Sequence, residues 1–196
     1  MSNDLLLEPT CTAQWYRLLV EAEQRCHQSL NADLESYLIQ TLKRYTANTA
    51  LGDKPLAPEW LECAELSGQM RDERLRDVGD QCLLISGLFP GRAERRLVRV
   101  SYYVDVGRTA YHQLSLTLKS ATAHLFEQLA HHFIVLTDIL LAIRQMNGQP
   151  ALQPLQSLEL WSDTGSKVAF ESISKHNDQA FPLHEGLSLD SNALKH

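Results

Sequence analysis

No run of apolar residues in this chain is long enough to cross a bilayer. The most apolar stretch, Phe133 to Ile143, is far shorter than the roughly 20 residues a spanning helix needs, and Asp138 interrupts it. It reads as core, and no membrane insertion is expected. The start also lacks positive charge: Asp4 and Glu8 enclose three leucines, unlike an export signal. A cytoplasmic location is therefore expected. The four cysteines, Cys11, Cys26, Cys63 and Cys82, form no Cys-x-x-Cys pair and no zinc-finger spacing. On one helix Cys11 and Cys26 would stand about 22 Å apart, beyond the roughly 7 Å a disulfide allows. Reduced, buried filler is the expectation for all four. Sustained alternation of apolar and polar residues is absent, so no strand is predicted; Leu97 to Val100 is too short and arginine-rich to found a sheet. Gly-x-Ser-x-Gly, Walker A, His-Glu-x-x-His and Gly-x-Gly-x-x-Gly motifs are absent too.

What is present is an ordinary globular composition. With 196 residues, 44% hydrophobic and 21% charged, the chain suits one domain with a substantial core. A formal charge of -6 and a pI near 5.7 disfavour duplex DNA, whose binding draws on neutralising phosphates. No duplex-DNA partner is expected.

Helical periodicity runs through the chain. Thr12 is positioned to cap a helix with Trp15, Leu18, Leu19, Ala22 and Cys26 on one stripe, and Asn31 to cap a second through Leu34, Leu38, Ile39, Leu42 and Tyr45. Residues 46–58 read as loop. Pro58 suits the first turn of a short helix ending at Ser67-Gly68. A longer helix, from about Gln69 to Ser86, stops at Gly87 and Pro90. Ser101 is placed to cap the next, through Leu118, in which Gly107 marks close helix packing. Ser120 or Thr122 opens one long helix ending near Asn147-Gly148. Leu155 to Ile173 supply one or two closing helices around an ambiguous Asp163-Thr164-Gly165-Ser166. The prediction is an all-α, single-domain bundle of about six to eight helices over residues 1–176, with an irregular tail over 177–196.

Asp77-Val-Gly-Asp80, Gly87-Leu-Phe-Pro90, Ser101-Tyr-Tyr103 and Gly107-Arg-x-Ala-Tyr111, with Thr164-Gly-Ser166 further on, resemble an uncharacterised bacterial family. The resemblance implies a bacterial helical protein and carries over neither an activity nor a catalytic residue.

Five groups of residues have the makings of chemistry. His124, Glu127 and His131, at i, i+3 and i+7, are candidate metal ligands along one side of a helix, with Asp138 continuing the line. They lie opposite the main apolar stripe and show no second copy of a Glu-x-x-His motif. Solvent exposure, no metal and no cofactor are expected. Glu73, Asp77 and Asp80 share another helical line among Arg71, Arg74 and Arg76, which reads as an ion-paired face. Asp80 stands apart, because Leu83 and Leu84 show the helix entering the core. Arg92, Arg95, Arg96 and Arg99 form a dense basic segment suited to phosphate, with Tyr102 and Tyr103 beside it. Asp80, Tyr102 and Asp105 are candidates to line a pocket, and Asp105 with Tyr111-His112 for an acid-base group.

The leading expectation is a non-enzymatic interaction or regulatory protein acting on a protein partner or on itself. Self-association is expected from the apolar positions of Thr12 to Leu30 and Thr122 to Met146. The alternatives are a metal- or small-molecule-dependent helical enzyme and a phosphate or nucleic-acid contact through Arg92 to Arg99.

Overall fold

The computed structural model describes residues 11–47, 56–150 and 152–180, and among them the backbone forms ten helices and no strand. The all-α bundle is as expected, but the helices outnumber the predicted six to eight. Asn31 caps α2 (Ala32–Ala47) as predicted: its Oδ1 accepts the Leu34 N–H at 3.0 Å, and α1 (Cys11–Cys26) packs against α2. The loop expected over 46–58 is corrected at both ends, since Thr46 and Ala47 belong to α2 and residues 56–58 to the next helix; residues 48–55 lie outside the described residues. Then come α3 (Leu56–Glu65), α4 (Gly68–Gly87), the short α5 (Pro90–Arg95) and α6 (Val100–Thr117).

Two expected caps are corrected. Cys11 already belongs to α1, so Thr12 sits inside its first turn; Arg99 is the N-cap of α6 and Ser101 lies within the helix. The Ser101 hydroxyl instead donates to Asp163 at 2.7 Å. Cysteine is corrected at one position, since Cys11 is exposed while Cys26, Cys63 and Cys82 are buried free thiols.

The long helix predicted from Ser120 to Asn147 is two: α7 (Ser120–His131) and α8 (Phe133–Met146), bent by 66°. His132 turns the chain with φ -93° and ψ 13°, which sends Phe133 into the core and leaves α7 on α6 while α8 packs against α1 and α4. No glycine or proline marks the bend. Gly148 takes the left-handed conformation, φ +74°, as predicted. The closing segment resolves into α9 (Pro154–Thr164) and α10 (Lys167–Ala180), separated by Gly165 at φ +75°. Helix therefore continues through residues 177–180, and the rest of the expected tail lies outside the described residues. Among the described residues no single helix is long and apolar enough to cross a membrane.

α4 is the axis of the bundle. From Val78 to Gly87 every residue is buried, polar ones included, and its main neighbour is α6. Glycines set that approach. A Cβ at Gly107 would overlap the Phe133 ring and come within 2.8 Å of Cys82 Cβ; one at Gly79 would meet Tyr111, and one at Gly87 would meet Leu140. Each glycine gives up about 1 kcal/mol of helix propensity against alanine, so the packing must return more. Gly107→Ala is accordingly expected to lower the unfolding free energy by about 1–2 kcal/mol, against the gain that propensity alone predicts. Chemical denaturation reads the difference, and an alanine variant as stable as the parent contradicts this packing.

Candidate functional site

Three acids are buried among the described residues: Glu23, Asp80 and Asp138. A buried carboxylate needs hydrogen-bond donors, and the partners tell what each is for. Asp80, on α4, is 3% exposed. Its Oδ1 accepts the hydroxyls of Tyr37 from α2 at 2.7 Å and Tyr111 from α6 at 2.5 Å. Arg44 of α2 donates to Oδ2, and Arg76 Nε stands 4.0 Å from the same oxygen. The Arg76 guanidinium also lies 5.5 Å over the Tyr37 ring. Burial raises both tyrosine hydroxyls above their ordinary range, Tyr111 the more strongly. Both therefore act as donors at neutral pH. The cavity beside Asp80, lined by Thr41, Arg44, Asp77, Gln81 and Leu84, measures about 10 Å³, too small for an organic ligand. Asp80 is a structural node.

Asp138 was placed by periodicity on the outer line with His124, Glu127 and His131, and the structure corrects this: it is 2% exposed. The bend at His132 rotates α8 against α7 and carries it inward. There it serves α10. Ser166 donates from Oγ to Asp138 Oδ1 at 2.5 Å while accepting the Ala169 N–H at 3.1 Å, and the Lys167 N–H reaches Oδ2 at 3.0 Å. Ser166 caps the helix and Asp138 holds the cap. Burial pushes the Asp138 carboxyl up to about 6, against the lowering effect of these hydrogen bonds. Nearby, burial lifts the Cys26 thiol to about 12, and its Sγ donates to the Asp138 carbonyl at 3.6 Å. That thiol is inert filler.

A groove of about 580 Å³ lies between α6 and α7, lined by Asp105, Arg108, Thr109 and His112 on one wall and Glu127, Ala130 and His131 on the other. Sequence reasoning named Asp105, His112, Glu127 and His131, but not that the two helices' residues face one another; Tyr111, expected with Asp105 and His112, is buried on Asp80 instead. The i, i+3, i+4, i+7 spacing of the α6 wall was the available signal. His124, Glu127 and His131 are exposed, as predicted. His124 turns to its own helix, 3.6 Å from Glu127 and 2.8 Å from Gln128. No three His, Cys, Asp or Glu side chains among the described residues are close enough to share a metal ion. The groove offers acid, base and guanidinium groups to a polar ligand in the open. Asp80, Tyr102 and Asp105 share no pocket: Asp105 lines the groove, Asp80 is buried, and Tyr102 stands half exposed with its ring against Tyr103.

The four arginines do not converge on one site: Arg92 and Arg99, at the two ends of the segment, turn to different neighbours. Arg92 donates to Tyr45 Oη at 3.3 Å and stacks 4.9 Å over Phe89. Arg99 faces α9, 3.5 Å from Glu159 and 3.6 Å from Asp163. Between them Arg95 is exposed and Arg96 half-buried at the end of α5. Leu97 follows with φ +56°: its N–H donates to Glu94 O at 2.9 Å and that of Val98 to Ala93 O at 3.0 Å, a helix stop with leucine in the left-handed position.

The apolar surface lies elsewhere than predicted. α7 and α8 bury Phe126, Leu129, Phe133, Leu136 and Leu140, and α1 buries Leu19, Ala22 and Cys26. On α9 and α10, by contrast, Leu155, Leu158, Trp161 and Phe170 are 67%, 47%, 41% and 49% exposed, and the Trp161 and Phe170 rings meet at 5.3 Å. Comparison with protein families, curated proteins and solved structures finds no match.

The Asp138 latch has a defined pH signature. Its pKa is raised in the fold from an ordinary 3.8, so the native state holds the proton more tightly. The resulting stabilisation is full below about pH 4 and lost as pH rises through about 6. Between pH 7.5 and 4.5 the parent should gain about 2 kcal/mol relative to Asp138→Asn, in which this titration is absent. Paired denaturation curves measure it; a pH-independent difference contradicts a buried, titrating Asp138.

Proposed function

We propose that the protein works by docking another macromolecule on the outer face of the α9–α10 hairpin. The observation that carries this reading is the contiguous apolar face itself. Leu155, Leu158 and Trp161 recur at three-residue steps along one side of α9, while Ser157 and Leu160, each 1% exposed, form the side turned to the bundle. Two opposed faces on one helix serve two contacts, and among the described residues only the inner one is made. Trp161 and Phe170 supply rigid aromatic area, the side-chain type that dominates interface energetics. Glu159 and Asp163, paired with Arg99, and the Ser101 hydroxyl on Asp163 give that face a polar rim. Single exposed leucines are common on soluble proteins, but adjoining leucines and aromatics on one helical hairpin are the pattern of an interaction surface.

A photo-crosslinking residue at position 158, introduced in the native cell, tests the reading against a control at the exposed Arg17 on α1. A discrete adduct from position 158 alone, whose mass tells a second copy from another protein, is expected. Trp161→Asp should reduce it at least tenfold while shifting stability by no more than about 1 kcal/mol, as suits a surface change. Equal labelling from both positions, or none from 158, contradicts the proposal.

A further inference from the structure

A two-fold contact pairs charges only when the surface that makes it carries both signs, placed on either side of its centre. Rotation then brings the anion of each copy onto the cation of the other. The outer face of α10 has this form. Lys167, Phe170, Glu171 and Ser174 recur at i, i+3, i+4 and i+7 and all four are exposed, while Val168 and Ala169 are buried. Phe170 thus lies between a lysine and a glutamate on one helical face, and its ring meets Trp161, which joins that face to Leu155 and Leu158 on α9.

These two charges return little to the helix that carries them. Among the described residues neither Lys167 nor Glu171 forms an ion pair, although they stand one turn apart. Lysine before glutamate at this spacing is the weaker order, and Lys167 is the first residue of α10, where the helix dipole favours an acid. The other acids of the hairpin's face, Glu159 and Asp163, are already paired with Arg99. With a net charge of -6, two copies of the chain repel on approach, and contact is least opposed where the local charge sums to zero.

Resting on the reading of the α9–α10 face as a docking surface, we infer that its occupant is a second copy of this chain, packed about a two-fold axis beside Phe170. Lys167 of each copy stands against Glu171 of the other, so both charges are paired twice over in the dimer. Leu155, Leu158 and Trp161 of the two copies supply apolar area beside the two phenylalanines. A partner of another sequence would have to present this same alternation by chance, whereas a second copy carries it necessarily.

Sedimentation velocity of the full chain over a range of concentrations is expected to show a monomer–dimer equilibrium. Lys167→Glu and Glu171→Lys each set like charges against one another at two places, and each should weaken the dimer about tenfold. The double variant carrying both changes should recover the parent's affinity to within about threefold, and an equimolar mixture of the two single variants should form the mixed dimer that neither forms alone. Recovery of this kind is not produced by a folding defect. A parent that stays monomeric at every concentration, or a double variant as weak as the single ones, overturns the inference. In that event an adduct from position 158 to a different protein leaves the docking face standing, and no adduct removes both.

Discussion

A carboxylate placed where water does not reach organises this bundle. Asp80 lies within the wholly buried half of α4, and an unpartnered charge there would cost several kcal/mol. Its donors come from two other helices, Tyr37 and Arg44 from α2 and Tyr111 from α6, so its demand fixes how three helices meet. Tyr37, Tyr111 and Phe126 stand with ring centroids about 6 Å apart, in contact around the charge. Gly79, one residue before Asp80, lets the Tyr111 ring come close enough to donate. Polar demand and close packing thus fall on the same turn of α4.

Much of the fold was legible because it is written locally. The stripe of Leu34, Leu38 and Leu42, the Asn31 cap, the Gly148 stop and the tight fit at Gly107 are all consequences of helical periodicity or backbone conformation, which a sequence displays directly. Asp80 was singled out by the leucines that follow it. Its partners were not, since Tyr37 and Arg44 lie 43 and 36 residues away and no spacing rule connects them. The bend at His132 was missed for a related reason: the apolar rhythm continues through it, and tertiary packing of Phe133 against Gly107 decides the turn. Asp138 was misplaced in consequence, and Ser166 was seen only as part of an ambiguous segment.

Function was less legible than fold, because exposure decides it and periodicity does not report exposure. The apolar residues of α9 looked like the core stripe of a closing helix, yet Leu155, Leu158 and Trp161 face outward while Ser157 and Leu160 face in. The dense arginine segment looked like one anion site, and the structure divides it between Tyr45 and Phe89 on one side and α9 on the other. The face proposed for a partner is built on α9 and α10, which supply none of the side chains described around Asp80. A buried centre that draws its donors from α2 and α6 leaves α9 and α10 free to carry side chains that node does not need.

The central claim is that the Asp80 carboxylate and its tyrosine donors act as one unit. A double-mutant cycle of Asp80→Asn and Tyr111→Phe, followed by chemical denaturation, measures this directly. The account predicts that Asp80→Asn alone lowers stability by about 3 kcal/mol, and that the pair falls short of the sum of the single changes by at least about 1 kcal/mol. Additivity within about 0.3 kcal/mol would contradict it and show that the bundle is held by its apolar packing alone.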